Sequence, residues 1–182
     1  AKQVGSVGVP RAVAAVLSWI MSNTSKGSTG SDPAVSDGTS IRTDGTLRAF
    51  TEAQVKTVLQ SAWNNGGDPD TIMVGGFNKQ QFSTFTGRST PTEDATKRKI
   101  TASVDVYQGD FGTQDVIANR FMRSRDCLIL NMEYWHVSFL RNMKTTDLAI
   151  NGDSTRKLII TEYALQADNE KASGGVFDFT TS

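Results

Sequence analysis

The amino-acid sequence predicts an α+β fold, because helical and strand patterns occupy different parts of the chain. Apolar residues recur with helical spacing in residues 11–21, 51–65 and 78–86. From about residue 100 onward, apolar and polar residues alternate with the period of half-buried strands. The length of 182 residues fits one domain, or two lobes of one, better than two independent domains.

The first predicted helix lies at residues 11–21, and Pro10 suits its first turn. Its apolar face would contain Val13, Val16, Leu17, Ile20 and Met21. Residues 22–48 follow and are rich in Ser, Thr, Gly and Asp. Because this segment offers few apolar anchors, we expect it to run over the surface and to be partly mobile.

Two further helix starts share one pattern, a polar cap preceded by a phenylalanine. Thr51 and Gln54 predict a capping box at the first start. Asn78 and Gln81 predict the same arrangement at the second, since Asn is also a good N-cap. The apolar face of the first helix continues through Val58, Leu59, Ala62 and Trp63, and Gly66-Gly67 ends it. Between the helices, residues 71–74 predict a short buried strand, which gives an αβα core.

The second half predicts strands that are joined by turns. Residues 100–107 and 113–121 are expected to form a hairpin about the turn at 108–112. Further predicted strands are 127–130, 135–140, 157–167 and 176–179, with turns at 151–153 and 174–175. No internal repeat of solenoid period is visible in the sequence.

Composition and charge exclude several classes of function. Nineteen basic residues balance nineteen acidic ones, which disfavours nucleic acid as the main ligand. The single cysteine, Cys127, excludes an internal disulfide framework and points to a reducing compartment. The longest apolar run, at residues 13–21, is too short to span a bilayer. No export signal is visible at the start, and the opening residues are expected to come from the middle of a longer protein.

The candidate catalytic residues do not form a recognisable site. His136 is the only histidine, and its strand pattern favours an ordinary surface or interface position. The sequence offers no nucleophile elbow to go with it. Gly152-Asp153-Ser154 resembles a motif of one esterase family, yet these residue types also form turns. Asp110-Phe111-Gly112 and Arg125-Asp126 resemble kinase motifs in reversed order, without a phosphate-binding loop.

Two other short patterns favour structural roles over binding. Gly75-Gly76 before a helix start suits a phosphate, but without a P-loop Lys-Ser/Thr it favours tight strand-to-helix packing. Arg120, Arg123 and Arg125 predict a solvated face, or pairing with acids of a neighbouring copy. We therefore predict no catalytic, cofactor-binding or metal-binding residues, and no cofactor.

Several segments, taken in order and spacing, resemble a family of tailed-phage and prophage major head (major capsid) proteins. The resemblance covers most of the chain from about Thr43 onward. Its segments are 43–52, 73–80, 104–107, 110–113, 119–123, 133–137, 140–141, 146–149, 152–154, 162–165 and 169–170. Relatives tend to have Asp-Pro where this chain has Asn131-Met132, and Pro-Phe where it has Asn142-Met143. These departures affect turn shape rather than the assignment.

The resemblance implies a Hong Kong 97-type capsid fold. Residues 1–132 would be mostly axial domain, and residues 133–182 would supply peripheral-domain strands and the C-terminus. The N-terminal arm, the extended loop and most of the spine helix would lie upstream of Ala1. Without the helix that covers them, the peripheral strands would expose apolar surface and strand edges. The chain alone is then expected to fold in its axial part but to assemble poorly into shells.

The resemblance also implies a function without catalysis. The chain would be a structural subunit that self-assembles into pentamers and hexamers of an icosahedral shell enclosing double-stranded DNA. Scaffold, portal or decoration proteins would be further partners, DNA contact would be at most nonspecific, and no membrane would be involved. Synthesis would take place in the bacterial host cytoplasm, and the final location would be the virion.

Three alternatives remain open at this point. Another virion component, such as a tail or decoration protein, would also lack catalytic residues. A small hydrolase would use Ser154 or a carboxylate together with His136. A nucleic-acid-binding module would bind DNA with a steep salt dependence, which the balanced charge does not favour.

Overall fold

The computed structural model describes residues 1–85, 106–150 and 152–181, and it confirms an α+β fold. The helices are α1 (Glu52–Asn64) and α2 (Gly76–Phe82), and short 3-10 turns lie at Val16–Ser18, Met132–Tyr134 and Glu170–Ala172. The strands are β1 (Asn23–Ser25), β2 (Thr71–Val74), β3 (Val106–Gly109), β4 (Gly112–Ala118), β5 (Cys127–Leu130), β6 (Trp135–Asp147), β7 (Lys157–Ala167) and β8 (Gly174–Val176).

Six strands form one mixed sheet in the order β1-β8-β5-β2-β4-β3. The β1–β8 and β2–β4 pairs are parallel, whereas β2–β5, β3–β4 and β5–β8 are antiparallel. Among the described residues, strands β6 and β7 pair with each other alone, in a separate two-stranded sheet. The division predicted at residues 132 and 133 remains a prediction, and β8 is hydrogen-bonded within the larger sheet.

Helix α1 begins and ends as its sequence predicts. The amide of Thr51 donates to Oε1 of Gln54 at 3.1 Å, which is the reciprocal bond of a capping box. At the C-terminus, Gly66 adopts a φ of +81°, and its amide donates to the carbonyl of Trp63 at 2.9 Å. The Gly67 amide donates to the carbonyl of Ala62 at 2.9 Å. Together these two bonds form a Schellman motif, which satisfies carbonyls that the helix leaves unpaired.

The larger core lies between α1, α2 and one face of the six-stranded sheet. Its fully buried residues include Val55, Val58, Leu59, Ile72, Val74, Phe82, Ile129 and Phe179. Trp63 was predicted on the buried face of α1, but its side chain is 57% exposed and contacts Phe111, with ring centroids 5.6 Å apart. The buried face of α1 therefore lacks Trp63, which the sequence predicts there.

The helix predicted at residues 11–21 is wrong, since only Val16–Ser18 forms a 3-10 turn. The amides of Gln3 and Ala12 exchange backbone hydrogen bonds of 2.9 and 3.2 Å, so the chain is extended where the helix would begin. Ile20 is nevertheless fully buried with Leu128, Leu130 and Phe177 on the second face of the sheet. The apolar spacing thus identifies Ile20 as a core residue, but it predicts neither the backbone conformation nor the environment of Val13, which is 50% exposed.

Helix α2 begins earlier than predicted, with Gly75 as its N-cap. Asn78 is not a cap: it lies inside the helix, fully buried, and its Nδ2 donates to the carbonyl of Ser124 at 2.6 Å. The predicted end at residue 86 falls outside the described residues, and α2 itself ends at Phe82. Asn78 therefore fastens the helix to the loop between β4 and β5 instead of capping it.

The predicted hairpin is confirmed for the described residues. Strands β3 and β4 pair through Gly109 and Gly112, and Asp110-Phe111 forms the two-residue turn. Most of the predicted strand 100–107 lies outside the described residues. Strand β4 ends at Ala118 rather than at residue 121, and Phe121 is 91% exposed in the following loop.

Residues 22–48 are not the surface loop that composition predicts, because strand β1 and two buried polar residues lie within them. Asn23 is fully buried, and its Nδ2 donates to the carbonyls of Lys171 and Ser173 at 2.6 and 2.9 Å. Its Oδ1 accepts from Ser61 Oγ at 2.8 Å and from Asn65 Nδ2 at 2.7 Å. Asn23 thereby joins β1, α1 and the C-terminal segment with all four of its hydrogen bonds made.

The last strand lies at Gly174–Val176, two residues before the predicted 176–179. Only glycine fits at position 174 of this strand, because a Cβ there would lie 2.5 Å from the carbonyl oxygen of Asn23. The chain then bends at Asp178, which has a φ of +68°. This left-handed conformation is one that Asp tolerates better than most residues, and it ends the strand.

We predict that Asn23→Ala lowers the free energy of unfolding by about 2–4 kcal/mol, because it leaves several buried polar groups without partners. Urea unfolding measured by circular dichroism gives this value. The matched control is Asn64→Ala, the same change at an exposed position of α1, for which we expect less than about 0.5 kcal/mol. Equal effects in the two variants would contradict the role assigned to Asn23.

Candidate assembly surface

Strands β6 and β7 form an antiparallel two-stranded ribbon, called the ribbon below. Strand β7 has the predicted bounds, whereas β6 continues seven residues beyond the predicted end at residue 140. The register runs from Trp135 opposite Ala167 to Asp147 opposite Lys157, with irregularities on either side of Arg141. At about 3.3 Å per residue, thirteen residues of β6 span roughly 40 Å.

One face of the ribbon is apolar and largely uncovered. In the register, Val137 pairs with Leu165, Phe139 with Tyr163, and Thr145 with Ile159. The side chains of Phe139 and Tyr163 are each 57% exposed, and their ring centroids lie 6.1 Å apart. An antiparallel sheet with this alternation normally packs its apolar face on a core. The exposure therefore marks the face as an interaction surface.

The opposite face is mostly polar. Ser138 Oγ contacts Gln166 Oε1, and the guanidinium of Arg141 forms a fork on Glu162 with distances of 2.8 and 2.7 Å. The hydrogen bond from Arg141 is the main reason that the pKa of Glu162 is lowered, and the same contact raises the pKa of Arg141. Exposed pairs of this kind contribute little stability, but they leave these polar side chains paired within the ribbon.

Trp135 attaches the ribbon to the six-stranded sheet. Its Nε1 donates to Ser173 Oγ at 2.9 Å, and its ring packs against the cluster that contains Leu128 and Leu130. The N-terminal hairpin formed by residues 2–13 lies beside the ribbon and leaves a groove of about 870 Å³. The groove is lined by Lys2, Gln3, Val4, Arg11, Ala12, Val13, Ala14, Ser138, Phe139, Leu140, Thr161, Glu162, Tyr163, Ala164 and Leu165.

The two candidate hydrolase residues are not brought together. His136 pairs with Gln166 near the attached end of the ribbon, and its Nε2 lies 3.2 Å from Asp168 Oδ2 at an exposed position. Ser154 lies beyond the Asp147–Lys157 pair, at the other end. Eleven strand residues separate these ends, a distance of about 35 Å. A catalytic pair of Ser154 and His136 is therefore incompatible with this topology.

The arginine cluster is not the solvated face that the sequence predicts. Arg123 Nη2 and Arg125 Nη1 contact Oδ2 of Asp44 at 2.7 and 3.2 Å. Arg125 Nη2 also lies 3.3 Å from Oδ1 of Asp178. The hydrogen bond from Arg123 is the main reason that the pKa of Asp44 is lowered. Two of the three predicted arginines thus pair with acids of their own chain.

Asp178 and Asp126 are the buried acids of this cluster. The amides of Gly27 and Gly45 donate to Asp178 at 3.0 and 2.9 Å, so each carboxylate oxygen accepts a hydrogen bond. Asp126 is fully buried, and neither of its oxygens accepts a hydrogen bond within the described residues. Arg123 Nε lies 3.3 Å from its Oδ2. Burial outweighs this ion pair and raises the pKa of Asp126 to about 6.

The structure also places the remaining candidate motifs. A Cβ at Gly75 would lie 3.4 Å from Cα of Ser124, an ordinary van der Waals distance, and Gly76 faces open space, so the tight packing predicted for these glycines is not observed. Cys127 is fully buried, and burial raises the pKa of its thiol, which disfavours reactivity. Over the described ranges, no group of three His, Cys, Asp or Glu side chains could hold a metal ion. No helix among the described residues is long and apolar enough to cross a membrane.

Sequence reasoning missed Asn23, Asp178 and the second half of β6, residues 141–147. Asp178 has a local signal, since it is a single acid between two phenylalanines. Asn23 has none, because its partners lie 38 to 150 residues away in the sequence. The ribbon pattern is interrupted near Arg141, where the register shifts and the alternation changes phase.

We predict that replacing Phe139 and Tyr163 together by serine reduces binding of a fluorescent apolar dye by about half or more. The reason is that the two rings form the exposed centre of the apolar face. The control is Val7→Ser with Phe121→Ser, at positions that are 104% and 91% exposed and that do not line the groove beside the ribbon. Fluorescence titration checks both variants, and an equal loss in both would contradict the assignment of the face.

Comparison with family models identifies the family of the chain. The family model described as SU10 major capsid protein matches residues 1–180. A solved structure titled "Crystal structure of virus-like particle from Pyrococcus furiosus" is similar at 13% identity and a TM-score of 0.42, covering 72% of this chain. This chain spans only about half of that protein, 52% of its length. No curated protein sequence matches. On the family match, which includes nearly every residue, the chain belongs to the SU10 major capsid protein family.

Proposed function

We propose that the chain is a structural subunit of a phage head and that it acts by self-assembly, not by catalysis. The observation that carries the proposal is the family match over residues 1–180. The apolar face of the ribbon, which the described residues leave exposed, needs a partner. The proposal assigns this role to other copies, in addition to the upstream helix that the resemblance implies. The separation of His136 from Ser154 by the length of the ribbon argues against a hydrolase that pairs those two residues, and the carboxylate alternative is represented by one exposed contact between His136 and Asp168.

The proposal includes a Hong Kong 97-type arrangement of the subunit. The six-stranded sheet with α1 and α2 would be the axial domain, within residues 1–132, and the ribbon would supply peripheral strands from residues 133–182. Support for this division comes from β6 and β7, which stand apart from the larger sheet. Strand β8 is the part of residues 133–182 that returns to the axial sheet.

The proposed partners are copies of the same chain, arranged as pentamers and hexamers in an icosahedral shell around double-stranded DNA. A face of the ribbon about 40 Å long and 10 Å wide offers roughly 400 Å², about half of what one side of a standard interface buries. Each copy therefore needs several such contacts, as a closed shell provides. Scaffold, portal and decoration proteins are further proposed partners, and contact with DNA is at most nonspecific. The proposed location is the virion, after synthesis in the host cytoplasm.

Sedimentation velocity combined with negative-stain electron microscopy tests the proposal. We expect the chain to form concentration-dependent oligomers of five or six copies, without closed shells. Phe139→Asp with Tyr163→Asp should shift these oligomers to monomers, because charges on the apolar face oppose its burial. Ser138→Asp with Ala164→Asp places the same two charges on the neighbouring cross-strand pair of the polar face, and we expect it to leave the oligomers intact.

Three outcomes would contradict the proposal in different ways. Monomers at every concentration would argue against a self-assembling subunit. Tubes would indicate a tail component instead of a head subunit. Oligomers that survive the Phe139 and Tyr163 changes but are lost with the Ser138 and Ala164 changes would place the contact on the polar face.

A further inference from the structure

A tight turn after β4, residues 119–122, presents an arginine and a phenylalanine to solvent and is called the Phe121 turn below. Across the turn, the amide of Met122 donates to the carbonyl of Asn119 at 3.1 Å, and the amide of Phe121 donates to Oδ1 of Asn119 at 2.9 Å. Met122 packs against the core on the second face of the sheet. The turn is therefore held in place while the Phe121 ring is 91% exposed.

Arg120 is the member of the predicted arginine cluster whose charge is not used within the subunit. Arg123 and Arg125 contact Asp44, whereas Arg120 is exposed and has no ion pair with a described residue. Arginine and aromatic residues are enriched at protein interfaces and among the residues that dominate binding energy. The Phe121 turn thus has the composition of an interaction surface that fits an aromatic and anionic partner.

A surface of complementary composition lies at the other end of β4. Its aromatic part is the Trp63–Phe111 pair, in which the Trp63 side chain is 57% exposed and the ring centroids lie 5.6 Å apart. Its charged part is acidic. Asp110 is exposed next to Phe111, and Oδ1 of Asp68 would lie 3.7 Å from a Cβ at Gly112. Trp63, Phe111, Asp110 and Asp68 are called the acidic aromatic patch below.

The negative charge of this patch is available to a partner. Lys56, the basic residue of α1, is paired with Glu52 at 2.9 Å. Asp110 and Asp68 form no ion pair with a described residue. The patch thus lacks a cation within its own chain, just as Arg120 lacks an anion. Opposite charges on two surfaces steer their association and fix its orientation.

The two surfaces lie too far apart to meet within one subunit. Strand β4 runs from Gly112, directly after Phe111, to Ala118, directly before the Phe121 turn. Its seven residues span roughly 20 Å at about 3.3 Å per residue. Complementary surfaces at opposite ends of a subunit make a head-to-tail contact between copies. Such a contact generates a ring when the rotation between copies closes.

We propose that the Phe121 turn of one copy docks on the acidic aromatic patch of the next, with Phe121 against the Trp63–Phe111 pair and Arg120 facing Asp110. The contact rests on the proposed function, because it joins copies of the chain into the rings of five or six. The apolar face of the ribbon offers only about half of what one side of a standard interface buries. The docked turn adds a second contact on the six-stranded sheet, apart from the ribbon.

Charge reversal in the complete chain, followed by sedimentation velocity, tests this contact. Arg120→Glu and Asp110→Arg are each expected to raise the apparent dissociation constant of the oligomers about tenfold or more, because like charges then face each other. The variant with both changes restores opposite charges, and its constant should lie within about threefold of the original. The matched control is Asp37→Arg, at an exposed acid outside both surfaces, and we expect a change below about threefold.

Phe121→Ser leaves every charge in place and should weaken the oligomers about tenfold, because it removes the ring that packs on Trp63 and Phe111. Circular dichroism checks that each variant retains the native fold. Oligomers that withstand either reversal or Phe121→Ser, or a folded double variant that does not regain assembly, overturn the docked turn while self-assembly stands. An unmodified chain that is monomeric at every concentration overturns the proposed function and the docked turn together.

Discussion

The fold depends on polar contacts, buried at Asn23 and Asp178, that tie residues 20–48 to the last thirteen residues of the chain. Asn23 makes four hydrogen bonds and joins β1 to α1 and to the segment before β8. Glu170 accepts from the amides of Met21 and Ser22, and Asp178 accepts from the amides of Gly27 and Gly45. Because a buried polar group without a partner is unfavourable, each contact specifies where the loop must lie. The parallel pairing of β1 with β8 follows from this arrangement.

Local sequence rules predict those elements whose boundaries are set by local chemistry. The capping residue Thr51, the Gly66-Gly67 terminus and the β3–β4 hairpin were all found from neighbouring residues. The same rules fail where a contact with a residue distant in the sequence determines the local structure. The residues around Asn78 have the pattern of a helix cap. The Asn78 side chain instead donates a hydrogen bond to the carbonyl of Ser124, and the helix begins at Gly76. Residues 11–21 have helical spacing, yet the backbone hydrogen bonds between Ala12 and Gln3 keep the chain extended at Ala12.

Most side chains of the ribbon are exposed, so the ribbon contributes little to the folding of the subunit and is available for assembly. It is joined to the sheet through Trp135 and through the chain, and few of its other side chains are buried. An alternating strand with an uncovered apolar face gains little from folding alone, so its pattern is better explained by a surface that another molecule covers. The family match gives that molecule an identity under the proposal, which is another subunit of the same shell. The sequence predicted β7 and the first half of β6 but not residues 141–147 of β6, because the register irregularities on either side of Arg141 interrupt the alternation there.

The central claim, that other subunits cover the apolar face of the ribbon, is tested most directly by hydrogen–deuterium exchange of the ribbon in free and assembled states. Oligomers separated from monomers on a column are labelled under identical conditions, and peptides from residues 135–147 and 157–167 are compared. The account predicts stronger protection of these peptides in the oligomer, with β2 and β5 unchanged. Oligomers in which ribbon protection equals that of the monomer would contradict it.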